Sequence, residues 1–481
     1  MNVERGALTE PADGARPRNY RVIAVVAALA LTMEAVDATA LISALPTIAR
    51  DFGVPVTQLG ALITAYLLAL AIFIPLSGRL ADRFGSRTVF RGAILLFMAS
   101  SLLCAAAPSI TAMIAARFLQ GIAGAMMNPI ARLVVLRSTP RHQMVSAMSW
   151  LILPATLGPI VGPPLGGFLV TYVGWRWIFY INLPIGLAGV ILVSLLFDEH
   201  RMDHRSPIDF PGFLLSGLAL SCLLFGLQFA TQDGDGGVAV ILLLAGALTA
   251  AAYVRYALRH PHPILDMRLL QLRQFRLTLA GGSLTRITQG AQPYLLALML
   301  QLGFGMTAAA SGAIVLTIAV GAMITKLLAG PVLRRTGFRT ALLVNGVLAV
   351  VGYAIVGWFR PGWPLWAMIP VLFVSGLAMS FQFSSYNVLA YEEIPPERMS
   401  AATGFYTTFQ QLLLSVGVSL GAVALHMSMA SAGRAVPAFP DFTVAFTFVC
   451  LISASATLVN WRIPRDAGAQ MGGRVARNAD D

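Results

Sequence analysis

Apolar runs of about 20 residues recur along the whole 481-residue chain. One such run is what a single helix needs to cross a hydrocarbon core of about 30 Å. Read with that ruler, the sequence predicts spans near 21–46, 57–77, 89–107, 110–136, 143–171 and 177–197. Two more follow near 208–230 and 238–259, then six near 275–301, 307–330, 339–359, 364–390, 400–428 and 442–461. That makes fourteen transmembrane helices. Only 11% of residues are charged and 57% are apolar, whereas soluble domains carry about 25% charge. A chain so poor in charge needs lipid to cover it.

The net charge of +12 does not read as a nucleic-acid footprint. Such a footprint gathers basic residues on one solvated face, and here they sit in short clusters between apolar runs. No nucleic-acid partner is expected; the bilayer is. Cys104, Cys222 and Cys450 fall inside apolar segments in no metal-ligand spacing. No metal site and no cofactor are expected. The polar stretch to Arg21 leads into a run too long for a signal h-region, so the first helix is expected to remain as an anchor.

An even number of helices puts both termini on one side, and basic residues choose the side. With the N-terminus inside, only Arg50, Arg176, Arg360 and Arg434 fall outside, and Arg117 and Arg286 fall within spans. Every other Lys or Arg is cytoplasmic, from Arg5, Arg16, Arg18 and Arg21 through Arg141, Arg201 and Arg205 to Arg465, Arg474 and Arg477. The outer loops are short, and one, TQDGDGG at 231–237, is acidic. Backbone amides at membrane depth must bond within their own helix, so the expected fold is an all-α helical bundle.

A repeat divides that bundle. GRLADRFGSRT begins at Gly78 and GPVLRRTGFRT at Gly330. Gly78, Arg83, Gly85, Arg87 and Thr88 match Gly330, Arg335, Gly337, Arg339 and Thr340 at one shared offset. The expected organisation is a six-helix half over 1–197, linkers and two inserted helices over 198–274, a second six-helix half over 275–461 and a tail over 462–481. Two homologous halves make a transporter architecture, with the substrate site near the midplane between them.

Ionisable residues inside apolar runs are the candidates for chemistry, because a charge at mid-helix costs roughly 2.5–3.5 kcal/mol on insertion scales. In MEAVDATALISALP, Glu34 and Asp37 lie three residues apart on one helix face. Carboxylates held together away from water tend to take up protons, which suits them to proton coupling. The alternative is a carboxylate that only braces helices. Arg117 opens RFLQGIAGAMMNP and cannot lose its proton, so it needs a carboxylate partner or a polar cavity. Gln120 shares its face. Arg286, in GGSLTRITQG with Gln289 three residues on, is the corresponding oddity of the second half. It either binds an anionic substrate group or pairs with an acid across the cavity.

Two segments read as conformational machinery. LGPIVGPPLGG packs Gly158, Pro159, Gly162, Pro163, Pro164, Gly166 and Gly167 into one span. Glycines permit close helix approach and prolines bend the helix, which predicts a pliable seam between halves. In GRLADRFGSRT, Gly78 and Gly85 allow a tight two-helix turn. Asp82 among Arg79, Arg83 and Arg87 can then form an ion cluster that works as a latch. The histidines mostly occupy loops, and no phosphate loop or H-E-x-x-H occurs. No enzyme chemistry is expected, and energy must come from a gradient.

These residues together resemble the major facilitator superfamily, and within it the 14-helix drug:proton antiporters of the EmrB/QacA type. GRLADRFGSRT looks like the family's loop motif, RFLQG like its fourth-helix motif and LGPIVGPPLGG like its antiport-associated fifth-helix motif. VDATALISALP, WRWIFYINLPIG and PILDMRLL are typical of the 14-helix branch. QGIAGAMMNPIARL and LTRITQGAQPYLLALMLQLGFG resemble its MdtD-like members. The resemblance implies proton antiport, with Asp37 as the proton carboxylate and Arg117 as its partner. It implies small organic substrates, a bacterial inner-membrane location and a periplasmic adaptor protein as a candidate partner. Ser43 stands where Asn is common and Glu34 where Gln is frequent. The rival expectations are a specific metabolite transporter of the same fold and a membrane sensor that moves nothing.

Overall fold

The computed structural model describes residues 20–139, 143–199, 209–231, 236–261, 263–395, 398–464 and 467–468. Several residues used above for topology lie outside them: Arg5, Arg16, Arg18, Arg141, Arg201, Arg205, Arg465, Arg474 and Arg477. So do His142, His200, His204 and His262, and the acids of TQDGDGG.

The first half runs α1 (Tyr20–Phe52), α2 (Gly60–Phe84), α3 (Ser86–Ala105), α4 (Ile110–Arg137), α5 (Met144–Tyr172), and then α6 (Trp177–Tyr180) and α7 (Asn182–Leu196), which together make one span. The inserted pair is α8 (Phe210–Phe229) and α9 (Gly236–Arg259). The second half runs α10 (Arg273–Leu298), α11 (Ala308–Thr336), α12 (Phe338–Gly357), α13 (Leu365–Leu389), α14 (Met399–Ser431) and α15 (Phe439–Asn460).

Among the described residues, thirteen of these segments are long and apolar enough to cross a membrane. The other expected span, α10, is a 26-residue helix carrying Arg273, Arg276 and Arg286. Its polar Gln274, Thr278, Thr285, Thr288, Gln289 and Gln292 are buried. It is polar because it faces protein. Lipid-side positions are apolar instead: Leu248, Leu327 and Trp366 are each more than 70% exposed.

Caps fix several helix starts. Ser109, Asp209 and Thr307 accept backbone N–H bonds from Ala112, Gly212 and Ala310 at the heads of α4, α8 and α11. The repeated motif is more helical than the sequence suggested. α2 continues to Phe84, Gly85 alone makes the turn at φ +94°, and α3 begins at Ser86. Gly337 does the same at φ +75° between α11 and α12. Only glycine takes that conformation freely. Gly78 is not part of the turn; it lies inside α2 with open space around it.

The two halves repeat one packing scheme. α1 packs on α5 as α10 packs on α14, α2 on α4 as α11 on α13, and α3 on α4 as α12 on α13. The halves meet chiefly along two seams, α2 with α14 and α5 with α11. The inserted α8 lies against α2 and α14 and so flanks one seam.

Toward the end where α1 finishes, both halves share one apolar core that joins Leu41, Leu45 and Ile48 to Leu295, Leu298, Leu425 and Met429. Gln301 Nε2 donates to Ser43 O there at 3.1 Å, and Thr64 and Ser419 hydroxyls meet at 3.2 Å. Toward the other end the cores separate. Ile23, Phe90, Ile94 and Phe197 belong to a cluster of the first half, and Leu333, Phe338 and Leu389 to one of the second. The halves share one core at one end and keep separate cores at the end that carries Gly85 and Gly337.

Candidate transport site

Asp37 sits near the middle of α1 and is 0% exposed. Its Oδ2 accepts from Arg117 Nη1 on α4 at 2.5 Å. Its Oδ1 accepts from Gln120 Nε2 at 3.1 Å and from Asn182 Nδ2, the first residue of α7, at 2.8 Å. Ser101 Oγ on α3 accepts from the same two amides at 2.8 and 3.2 Å. Two helices, α4 and α7, therefore supply the donors to this carboxylate of α1, and α3 braces two of them.

Arg117 is equally sealed, at 1% exposure. Besides Asp37 it donates to Gln120 Oε1 at 2.5 Å, and it lies 4.6 Å from the Tyr66 ring centroid. Charge-assisted bonds are the strong ones. Breaking such a buried pair by deleting one partner typically costs about 3–5 kcal/mol, unless the orphaned group changes protonation.

Glu34 does not join this network directly. It is half-buried, and its Oε1 accepts from Tyr66 Oη at 3.1 Å. Tyr66 thus touches both the Arg117 guanidinium and the Glu34 carboxylate. Gln120, expected on the cavity wall, is instead fully buried inside the charge cluster. Its side chain turns to Asp37, where it shares Oδ1 with Asn182.

In the second half, Arg286 Nη1 donates to Gln289 Oε1 at 2.9 Å and Nη2 to Gln410 Oε1 at 2.8 Å. Its guanidinium lies 4.0 Å from the Phe383 ring centroid. Gln410 Nε2 donates to Asn387 Oδ1 at 3.1 Å, and Gln289 Nε2 to the Met379 carbonyl at 3.0 Å. Sequence reading missed Asn182, Ser101, Tyr66, Phe383, Asn387 and Gln410. Asn182 had a signal, being an amide in the otherwise apolar WRWIFYINLPIG.

α5 is continuous through Pro154, Pro159, Pro163 and Pro164. Gly158, Gly162 and Gly166 lie one above the other against α1, at Ala35, Thr39 and Ala40, inside the first half. Only Gly167 faces the other half, where an added Cβ would come within 2.3 Å of Ala308 O. From α11, Gly312 approaches Pro163 O. Most of the glycine face is therefore a fixed joint within one half, and its outer end is the seam.

At the repeated motif, Arg87 Nη2 donates to the Ser194 carbonyl, and Thr88 Oγ1 to Glu199 Oε2 at 2.5 Å. Both partners lie at or just beyond the end of α7, so this part of the motif grips its own half. Asp82 is half-buried and engaged, while Arg83 is exposed beside Phe84.

The model of the Major Facilitator Superfamily matches residues 27–418. A Cronobacter sakazakii protein, designated MdtD with a multidrug-resistance name, is 34% identical over 94% of this chain and 96% of its own length. A Haemophilus influenzae protein designated as the transport protein HsrA is 35% identical over 85% of this chain and 88% of its own. Among solved structures, the nucleoside transporter NupG aligns at a TM-score of 0.66 and 15% identity, covering 92% of this chain and 99% of that one. The peptide transporter PepTSo gives 0.66 and 13%, covering 93% and 98%. With its duplicated six-helix halves and buried charge cluster, the chain belongs to the major facilitator superfamily and is a multi-pass membrane transporter rather than an enzyme.

Proposed function

We propose that this transporter is a proton-driven exporter of small organic molecules, multidrug in range, in the bacterial inner membrane with both termini cytoplasmic. The two six-helix halves rock about the seams so that the central cleft opens to one side at a time. With the basic loops inside, the end at which the two halves keep separate cores faces the cytoplasm, where an exporter collects substrate.

The observation that carries the reading is Asp37, a carboxylate at mid-membrane held to Arg117 by a 2.5 Å bond. Protonating Asp37 cancels the charge that Arg117, Gln120 and Asn182 all point at. The conformation built around that charge then loses its advantage, and the halves can re-pack with the outer end open. Releasing the proton inside restores the pair. Glu34, one turn away, half-buried and held by the Tyr66 hydroxyl, is a second carboxylate on the same helix face that can carry a proton. Each proton moving inward through 100 mV supplies about 2.3 kcal/mol, roughly fifty-fold in substrate gradient.

Gly85, Asp82, Arg83 and Arg87 act as the inner latch, remade each time the parted ends close. A periplasmic adaptor is a partner of this reading only, since export continues outward from the inner membrane.

The test is efflux from proteoliposomes under an imposed pH gradient, with chemically diverse dyes. Asp37→Asn is expected to abolish gradient-driven efflux while the protein is still produced and folded. Full efflux by that variant would refute the assignment.

A further inference from the structure

The offset that pairs Gly78 with Gly330 also pairs Glu34 with Arg286 and Asp37 with Gln289. The helix boundaries keep that offset, since α3 and α12 correspond end to end, and α2 and α11 finish at equivalent residues. Glu34 and Arg286 are therefore the same position in the two halves, at the same depth, with opposite charge.

Arg286 differs from Arg117 in what surrounds it. Arg117 is sealed from solvent and paired with a carboxylate. Arg286 is half-buried, and its partners are the neutral amides of Gln289 and Gln410 and the ring of Phe383. Among the described residues it has no acidic partner, and its Nε is buried with no hydrogen bond at all. An intramembrane Arg stays charged. A residue that only braced Gln289 and Gln410 would need no charge, because a neutral amide would do that work. Meanwhile Gln289 is tied to Met379 O and Gln410 to Asn387. The two amides thus hold the guanidinium plane in place without neutralising it.

We infer that Arg286 is the fixed cation of an anion subsite on the second-half wall of the cleft, so that the substrates are organic acids or zwitterions whose carboxylate docks there. This rests on the transport reading, with the cleft as the substrate path. The planar fork suits a planar carboxylate, and Phe383 offers an aromatic face beside it. Across the cleft the equivalent position is an acid, Glu34. A zwitterion then has a wall of matching charge for each of its ends.

The test compares two acids with their own esters: norfloxacin with its methyl ester, and p-aminohippurate with its methyl ester. Binding is measured on purified protein in nanodiscs with no pH gradient, so proton coupling does not enter. The wild type is expected to bind each acid roughly tenfold to a hundredfold tighter than its ester, the worth of a charge-assisted bond. Arg286→Gln is expected to erase that preference by weakening the acids alone, and Arg286→Lys to keep part of it. Melting temperature reports whether each variant is folded. Equal or weaker binding of the acids by the wild type overturns the proposal, as does a preference that survives in folded Arg286→Gln or a failure of all four compounds to bind. Acid-selective binding with no gradient-driven efflux would instead count against the proton-driven reading and leave the subsite standing.

Discussion

At the scale of single residues, the deciding contrast is between a carboxylate met by three donors and a cation that meets no group of opposite charge among the described residues. Asp37 accepts from Arg117, Gln120 and Asn182, so the folded bundle is arranged for its charged form. Asn182 is the donor whose loss leaves the Arg117 pair untouched. A hydrogen bond to a charged group is worth about 1.5–3 kcal/mol. Asn182→Ala removes one of the three donors to the carboxylate, so gradient-driven efflux in proteoliposomes is expected to fall roughly tenfold while the folded protein is still produced. Undiminished efflux would show that Asn182 does not act through Asp37. Asp37, Glu34, Arg117 and Arg286 were legible in the sequence because an ionisable group in an apolar run is conspicuous. Asn182, Ser101 and Tyr66 were not, because neutral polar side chains are common in helices and become a site only when the bundle folds. Gln120 illustrates the limit. Its spacing from Arg117 gave its helix face correctly, but not that the face points into the half rather than into the cleft.

At the scale of elements, neighbouring glycines on α5 do different jobs. Gly166 packs on α1 within the first half, and a Cβ there would stand 2.6 Å from Ala40 O and 2.7 Å from its Cα. Gly167 packs on α11 of the second half, 2.3 Å from Ala308 O by the same construction. Backbone cannot give way as a flexible side chain can. Gly166→Ala must force α1 and α5 apart, and overpacking of this kind typically costs about 1–3 kcal/mol. It is expected to lower the melting temperature without favouring either conformation. Gly167→Ala strains only the seam with α11, which the proposed orientation puts at the outer end, so it should shift the population toward an open outer end with a smaller effect on stability. A single cysteine placed at exposed Thr307, with the native cysteines replaced, is then expected to react faster with a membrane-impermeant maleimide in Gly167→Ala than in Gly166→Ala. Sequence reading saw the glycine cluster but assigned all of it to the seam, because residue type reports close approach and not which helix approaches. Hydropathy located the spans well and their ends poorly. α1 runs on to Phe52 and α2 to Phe84, since helices continue past the hydrocarbon as long as caps and amphipathic packing allow.

At the scale of the whole molecule, the two halves have divided the labour that their shared ancestry would have given both. The first half has the sealed Asp37–Arg117 pair; at the equivalent of Asp37 the second half has Gln289, and at the equivalent of Glu34 it has the uncompensated Arg286. In the proposed reading the proton carboxylate Asp37 belongs to the first half and the cation that receives a substrate carboxylate to the second, coupled through the motion that both walls share. That motion should respond to pH with a definite sign. In the proposed reading the conformation with separate inner cores is the one in which deprotonated Asp37 is bound by three donors, so raising the pH should populate it and lowering the pH should deplete it. Spin labels at Phe84 and Thr336, exposed and equivalent residues that end α2 and α11, report the inner separation. The fraction at long distance is expected to fall as the pH drops, and to become independent of pH in Asp37→Asn. A pH response that persists in that variant would move the trigger elsewhere, with Glu34 first in line as the other acid on that face of α1. If the response were absent in the wild type as well, the buried pair would be a brace and the gradient would have to act on the substrate alone.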